Sequence, residues 1–313
     1  MIEAEVSINT GSANLFATFT QPQETSAAPA VLMVHGSGAL DRDENSKGFK
    51  LNIFNAIAKQ LESIGVASLR YDKRGCGKSS GDYYSANHTD LVDDADAWIR
   101  FLQQQPSINP RQIFVLGHSE GTLIAPQLSS RHQDIAGIVL LNPFCENLEN
   151  ILLTQAKHIQ QSIQTLSGAK GMMLRTLGYL VNPIAFQQRL IRRIKTSHKP
   201  VIRLFFFAKI PANWFRQAMQ ANPSDIHAKT ACPVLMIAGG KDIQCSSDDV
   251  KKIEAQLQQE SETHILTNLT HILRNDAKPA SFFNYKKLMQ QPVEDEVLQL
   301  ISQWLQRQIK HYD

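Results

Sequence analysis

Six short, nearly continuous apolar runs set the strongest limit on what this chain can fold into. They lie at residues 30–34, 66–71, 113–116, 135–141, 234–238 and 262–266. Most are too short for helices and lack alternation, which suits strands buried on both faces. Longer stretches with helical spacing separate them, for example 49–63, 89–104 and 122–131. Strand and helix in repeated alternation predict an α/β fold, with a mostly parallel central sheet and helices on both faces. Ahead of this rhythm, residues 2–9 and 13–20 alternate apolar and polar around Asn9-Thr10-Gly11-Ser12, the pattern of a β-hairpin. Residues 292–309 read as an amphipathic helix that closes the fold.

The rhythm breaks once. Between Leu141 and Pro233 only helical segments are legible, at 148–166, 184–195 and 211–220. We expect residues 146–228 to be an inserted helical cap on a core made of 1–145 and 229–313. Net charge is only +3 over the 313 residues, but it is unevenly spread. Residues 150–224 hold eleven of the 32 Lys and Arg and no Asp or Glu, which leaves 21 basic against 29 acidic residues elsewhere. A solvated helical face is the plain reading of this basic segment. An anionic substrate or peripheral contact with an anionic membrane surface is the sharper one. Phe205-Phe206-Phe207 beside Lys209 and Trp214 mixes aromatic bulk with positive charge, as interfacial segments do, although such runs more often line pockets or cores.

Chemistry concentrates at the ends of the apolar runs. Gly117-His118-Ser119-Glu120-Gly121 stands between the run at 113–116 and a helical stretch. A sharp strand-to-helix turn needs small residues two positions either side of the serine, and it pushes the serine Oγ into the open at a helix N-terminus. A serine hydroxyl is a weak nucleophile; it needs a base, and the base needs a carboxylate to orient it. Asp242, in Gly239-Gly240-Lys241-Asp242, and His271, after the last apolar run, follow in the order serine, acid, histidine. Asp248 and Asp249 are fallback acids but open the next helix, where capping is the simpler role. Two backbone N–H donors would face the oxyanion, that of Glu120 and one from His35-Gly36-Ser37-Gly38; Ser37 is the first choice and Gly38 the alternate. His35 reads as a structural imidazole bonded to loop carbonyls.

Together with Tyr71-Asp72-Lys73-Arg74-Gly75-Cys76-Gly77-Lys78-Ser79, these motifs resemble the α/β-hydrolase superfamily, most closely its bacterial esterase, acyl-thioesterase and serine-aminopeptidase-like branch. The resemblance runs from about Ala30 to the C-terminus. It implies the α/β-hydrolase fold, Ser119 as nucleophile, Asp242 as acid, His271 as base, a cap over an acyl pocket, and no cofactor. Thr122 departs from the pattern, since a second glycine often stands there; a β-branched residue is expected to narrow the pocket floor.

The expected activity is cleavage of a small-molecule carboxylic ester or thioester. An aminopeptidase would want acidic side chains in the cap to hold the substrate amine, and the acid-free segment opposes that. A non-catalytic module that binds a ligand or membrane through the basic cap is the rival of another class. Gly77-Lys78-Ser79 ends like a phosphate-binding loop, but Asp72 stands where the first glycine would be required. The expectation there is a tight turn fixed by an Asp72–Arg74 ion pair, with no role in nucleotide or nucleic-acid binding. Cys76, Cys145, Cys232 and Cys245 lack disulfide or metal spacing, and the histidines show no paired metal pattern. An acidic, alternating N-terminus and the lack of any apolar run near the roughly 18 residues of a spanning helix lead us to expect a cytoplasmic protein.

Overall fold

A computed structural model describes residues 1–21, 27–165, 168, 172–173, 182–204 and 208–311. Its centre is an eight-stranded sheet. The strands are β1 (Ile2–Asn9), β2 (Asn14–Gln21), β3 (Ala28–Val34), β4 (Ala67–Tyr71), β5 (Ile108–His118), β6 (Ile135–Leu141), β9 (Val234–Gly239) and β10 (Ser261–Leu266). They lie in the order β1-β2-β4-β3-β5-β6-β9-β10. The hairpin β1–β2 joins the edge at β4 antiparallel, and every pair from β4 to β10 is parallel. From β3 the chain steps to β4 on one side and then to β5 on the other. Their diverging connections leave a crevice beyond the carboxyl ends of β3 and β5, where open parallel sheets bind ligands.

The pleat sends alternate side chains to opposite faces. Val31, Met33, Phe114 and Leu116 pack beneath α1 (Ile53–Ser63) and the C-terminal α10 (Asp295–Lys310), which follows the one-turn α9 (Tyr285–Leu288). Ala30, Leu32, Val34 and Val115 meet α2 (His88–Gln103) and α3 (Gly121–Arg131) on the other face. Helix α2 shows why these segments coil. Its buried Leu91, Val92, Ala95, Trp98, Ile99 and Leu102 recur at helical spacing, and Asn87 with Asp90 forms a capping box at its start. On the opposite face Trp304 of α10 sits edge-on to Phe114, with ring centroids 6.1 Å apart.

Between β6 and β9 the insertion carries α4 (Leu148–Thr165), α5 (Pro183–Thr196), α6 (Ala212–Gln220) and α7 (Pro223–His227). It is not purely helical. Two three-residue strands, β7 (Ile202–Leu204) and β8 (Ala208–Ile210), pair antiparallel. Three residues are too few to display a two-residue period, so this hairpin leaves no sequence signal. The Phe205-Phe206-Phe207 run lies outside the described residues. Ile191, Ile194, Ile202, Ala212 and Met219 give the insertion its own small core.

Two loop expectations need correction. Asp72 and Arg74 do not pair with each other. Asp72 takes the Arg42 guanidinium at 2.7 Å and the Lys78 amide at 2.9 Å, while Arg74 grips Asp94 of α2 through two bonds of 2.6 Å. Their side chains leave the turn in opposite directions, one toward the loop after β3 and one toward α2. Asp248 occupies the N-cap position of α8 (Asp249–Glu254) without a side-chain capping bond. Asp249 is buried and accepts from the amides of Cys145 and Glu146, so it anchors the chain where the insertion begins. Among the described residues no helix is long and apolar enough to cross a membrane.

Trp304 fills the layer between α10 and the sheet so closely that a Cβ on Gly137 would come within 2.6 Å of its ring. Trp304→Ala should therefore cost about 3–5 kcal/mol of stability, read as a lower denaturation midpoint in urea.

Candidate active site

Ser119 stands at the turn between β5 and α3 with φ at +51°, a left-handed conformation that costs a non-glycine residue energy and is held only by its surroundings. The restraint is visible on both sides. The Ser119 amide donates to the Leu141 carbonyl of β6 at 3.0 Å, and its carbonyl accepts from the Thr122 amide at 2.9 Å and from Thr122 Oγ1 at 2.6 Å. Thr122 thus locks the turn and does not line the cavity, contrary to the expected narrowing of the floor. Glycines flank the turn because backbones nearly touch there. A Cβ on Gly117 would lie 2.2 Å from the Gly121 carbonyl oxygen, and one on Gly121 would lie 2.2 Å from that of Val34.

His271 and Asp242 arrive at the same sheet edge from the loops after β10 and β9. His271 Nδ1 lies 2.7 Å from Asp242 Oδ2, with both side chains almost wholly buried. The other Asp242 oxygen accepts from the amides of Gln244 at 2.7 Å and Cys245 at 3.0 Å. A carboxylate only accepts, so Nδ1 is the donor in this bond and Nε2 is the nitrogen it leaves free. Ser119 and His271 line one cavity of about 380 Å³, though no hydrogen bond joins the Ser119 hydroxyl to the imidazole. Catalytic contacts are commonly loose before substrate binds. Asp242, Cys245 and His271 are also the one cluster of potential metal ligands among the described residues, and it is this acid–histidine pair with a neighbouring thiol.

Ser37 lies in the same cavity wall. Neither its amide nor that of Glu120 donates to an acceptor among the described residues. His35, in contrast, is fully buried with both ring nitrogens unpartnered, and it packs edge-on against Tyr71 at 4.7 Å. It is a structural residue held by aromatic packing and not by loop carbonyls; burial pushes its pKa down to about 3, which keeps it neutral.

Several polar residues around the site had no role in the sequence reading. Glu44, itself at φ +62°, is buried and accepts from the Gly36 amide at 2.7 Å and from His118 Nδ1 at 2.8 Å. His118 Nε2 meets the His271 carbonyl at 2.9 Å, which Asn142 Nδ2 also reaches at 3.0 Å. An imidazolium donates from both ring nitrogens to these two oxygens. Burial opposes that charge, but the Glu44 carboxylate outweighs it and raises the His118 pKa above its ordinary 6.5. Burial likewise opposes the Glu44 charge, and the imidazolium outweighs it and holds the carboxyl below its ordinary 4.5. Lys73 Nζ donates to the Gly36 carbonyl at 2.6 Å and to Glu120 at 2.9 Å, and the Trp214 indole of α6 donates to the other Glu120 oxygen. A lysine beside Asp72 and a glutamate beside Ser119, each in a motif at a strand end, are the only local hint of that pair. Glu44, in a polar loop of mixed charge, offered none.

The cavity wall is mostly apolar. Leu148, Ile151, Leu152, Trp214 and Phe215 of the insertion face Leu51, Phe144 and Ile272 of the core. None of the insertion's basic side chains lines it among the described residues; Arg189, Arg192, Arg193 and Lys195 on α5 are exposed.

An open parallel sheet with a serine elbow at its switch point and a histidine–aspartate pair beside it defines an α/β-hydrolase. Residues 44–278 match the family model described as serine aminopeptidase, S33, and the chain belongs to that hydrolase family. It is 26% identical over 305 residues to the esterase EstD of Thermotoga maritima, covering 97% of this chain and 67% of that protein. Among solved structures, ferulic acid-bound Est1E of Butyrivibrio proteoclasticus superposes with a TM-score of 0.65 at 17% identity, over 97% of this chain and 99% of that one. The Pyrococcus furiosus esterase Pf2001 does so with a TM-score of 0.60 at 17% identity, over 98% and 90%. At these identities the structural likeness speaks for the fold.

The Glu44–His118 pair carries a pH signature. The raised His118 pKa adds stability that is complete below its ordinary 6.5 and lost as pH rises through the folded value. The lowered Glu44 pKa adds stability that is complete above its ordinary 4.5 and lost as pH falls. Thermal midpoints should fall above neutrality more steeply in the native protein than in Glu44→Gln/His118→Gln. His118→Leu alone, which strands a buried carboxylate, should cost about 3–5 kcal/mol.

Proposed function

We propose that this protein cleaves small-molecule carboxylic esters with apolar acyl groups, and thioesters of the same shape, through an acyl-enzyme on Ser119. The observation that carries this reading is a left-handed serine elbow and a carboxylate-bound imidazole facing one apolar cavity. His271 Nε2 takes the Ser119 proton as Oγ attacks the acyl carbonyl. Asp242 steadies the imidazolium that forms. The Ser37 and Glu120 amides receive the tetrahedral oxyanion. His271 then gives its proton to the departing alcohol or thiol. In the second half it takes a proton from water, the hydroxide attacks the acyl carbon, and collapse returns the proton to Ser119 and frees the acid.

Residues 146–228 act as the cap in this reading, since α4 and α6 supply much of the apolar wall. The wall also weighs against an aminopeptidase. Its one carboxylate, Glu44, is committed to His118 and the Gly36 amide, which leaves no anion to hold a substrate ammonium among the described lining residues. The outward basic side chains of α5 give the cavity no preference for an anionic acyl group.

Ser119→Ala should fold as the native protein does and lose at least about 10⁴-fold in turnover of p-nitrophenyl acyl esters. Leu152→Trp, which fills the cavity, should move the preference toward shorter acyl chains in a graded series. Undiminished turnover by Ser119→Ala would remove the acyl-enzyme from the account.

A further inference from the structure

We infer that Lys73 is a positioning residue for the oxyanion site, setting the direction in which the Ser37 N–H points. The inference rests on the acyl-enzyme reading above and concerns a residue outside its triad and its two amides. Gly36 is clamped at both of its backbone polar groups. Its N–H donates to Glu44 Oε1 at 2.7 Å, and its carbonyl accepts from Lys73 Nζ at 2.6 Å. The Gly36 carbonyl and the Ser37 N–H belong to the same peptide unit. In a trans peptide these two bonds point in opposite directions. With the carbonyl drawn inward to a buried ammonium, the Ser37 N–H is turned outward, toward the cavity that Ser37 and Ser119 share. A cation on the carbonyl oxygen also polarises the peptide, which strengthens its N–H as a donor.

Lys73 reaches the second donor as well. Its Nζ pairs at 2.9 Å with the carboxylate of Glu120, the residue whose amide is the other oxyanion donor, and both side chains are buried. Trp214 from the insertion holds the remaining Glu120 oxygen, and the Tyr83 ring lies with its centroid 6.0 Å from the ammonium. One ammonium thus connects the loop after β3 to the start of α3. A purely structural ion pair would need only the bond to Glu120. The bond to the Gly36 carbonyl is the part that bears on chemistry, because it acts on the peptide that carries the donor.

The test is Lys73→Met combined with Glu120→Gln, so that no buried carboxylate is stranded, measured against Glu120→Gln alone. The readouts are kcat, KM for a p-nitrophenyl acyl ester, and affinity for an alkyl trifluoromethyl ketone, whose adduct places an oxyanion between the two amides. Loss of Lys73 should lower kcat about 10- to 100-fold, short of or equal to the loss of one whole donor, with KM little changed. Inhibitor affinity should fall in proportion to kcat. A folded variant with unaltered kcat and inhibitor affinity overturns the inference, as does a change confined to KM or to thermal stability. If the double variant does not fold, Lys73→Gln combined with Glu120→Gln takes its place, again measured against Glu120→Gln alone; the amide introduced by Lys73→Gln is too short to hold the Gly36 carbonyl as lysine does, and the same outcomes decide. Failure here is distinct from failure of the acyl-enzyme reading, because Ser119→Ala would still be inert while the Lys73 variants turned over normally.

Discussion

Everything at the site depends on one close backbone approach. The first residue of α3, Gly121, lies against the carbonyl of Val34, the last residue of β3, with no room for a side chain between them. That contact places the loop after β3 beside the elbow after β5 at the point where the strand connections diverge. It also holds Ser119 at a positive φ, since the turn cannot relax without separating helix from strand. The sheet on either side is ordinary α/β packing. It supplies the rigidity that lets a strained turn persist.

Around this contact the molecule buries charge. Glu44 with His118 and Lys73 with Glu120 are two pairs out of solvent, each reaching a backbone group of Gly36 or His271. Buried pairs gain little net stability, because desolvation offsets most of the Coulombic attraction. Their value lies in direction. The Gly36 loop, the elbow and the His271 loop belong to chain segments far apart in sequence, and apolar packing alone would hold them without fixing their orientation. The insertion joins the same frame through Trp214, so the cavity wall and the elbow are mechanically linked.

Much of this was legible in the residues. The apolar runs predict every parallel strand, and motif and order single out the elbow, Asp242 and His271 as the candidate site. The features without a sequence signal lack one for physical reasons. The β7–β8 hairpin is too short to show a period. Asp72 and Arg74 are neighbours in a turn, and adjacency in sequence misled where the side chains diverge to Arg42 and Asp94. His35 keeps two unbonded nitrogens in an aromatic pocket, an arrangement no spacing rule anticipates. Glu44 joins His118 across 74 positions, and a partnership of that range leaves no local trace.

The central claim is that Ser119 is the nucleophile, and covalent trapping tests it most directly. The native protein would be treated with a fluorophosphonate probe while ester turnover is followed, then digested and its peptides mapped by mass spectrometry. The account predicts one adduct, on Ser119, formed in step with the loss of activity. Complete inactivation with the adduct on another residue, or continued turnover by protein fully labelled at Ser119, would contradict it.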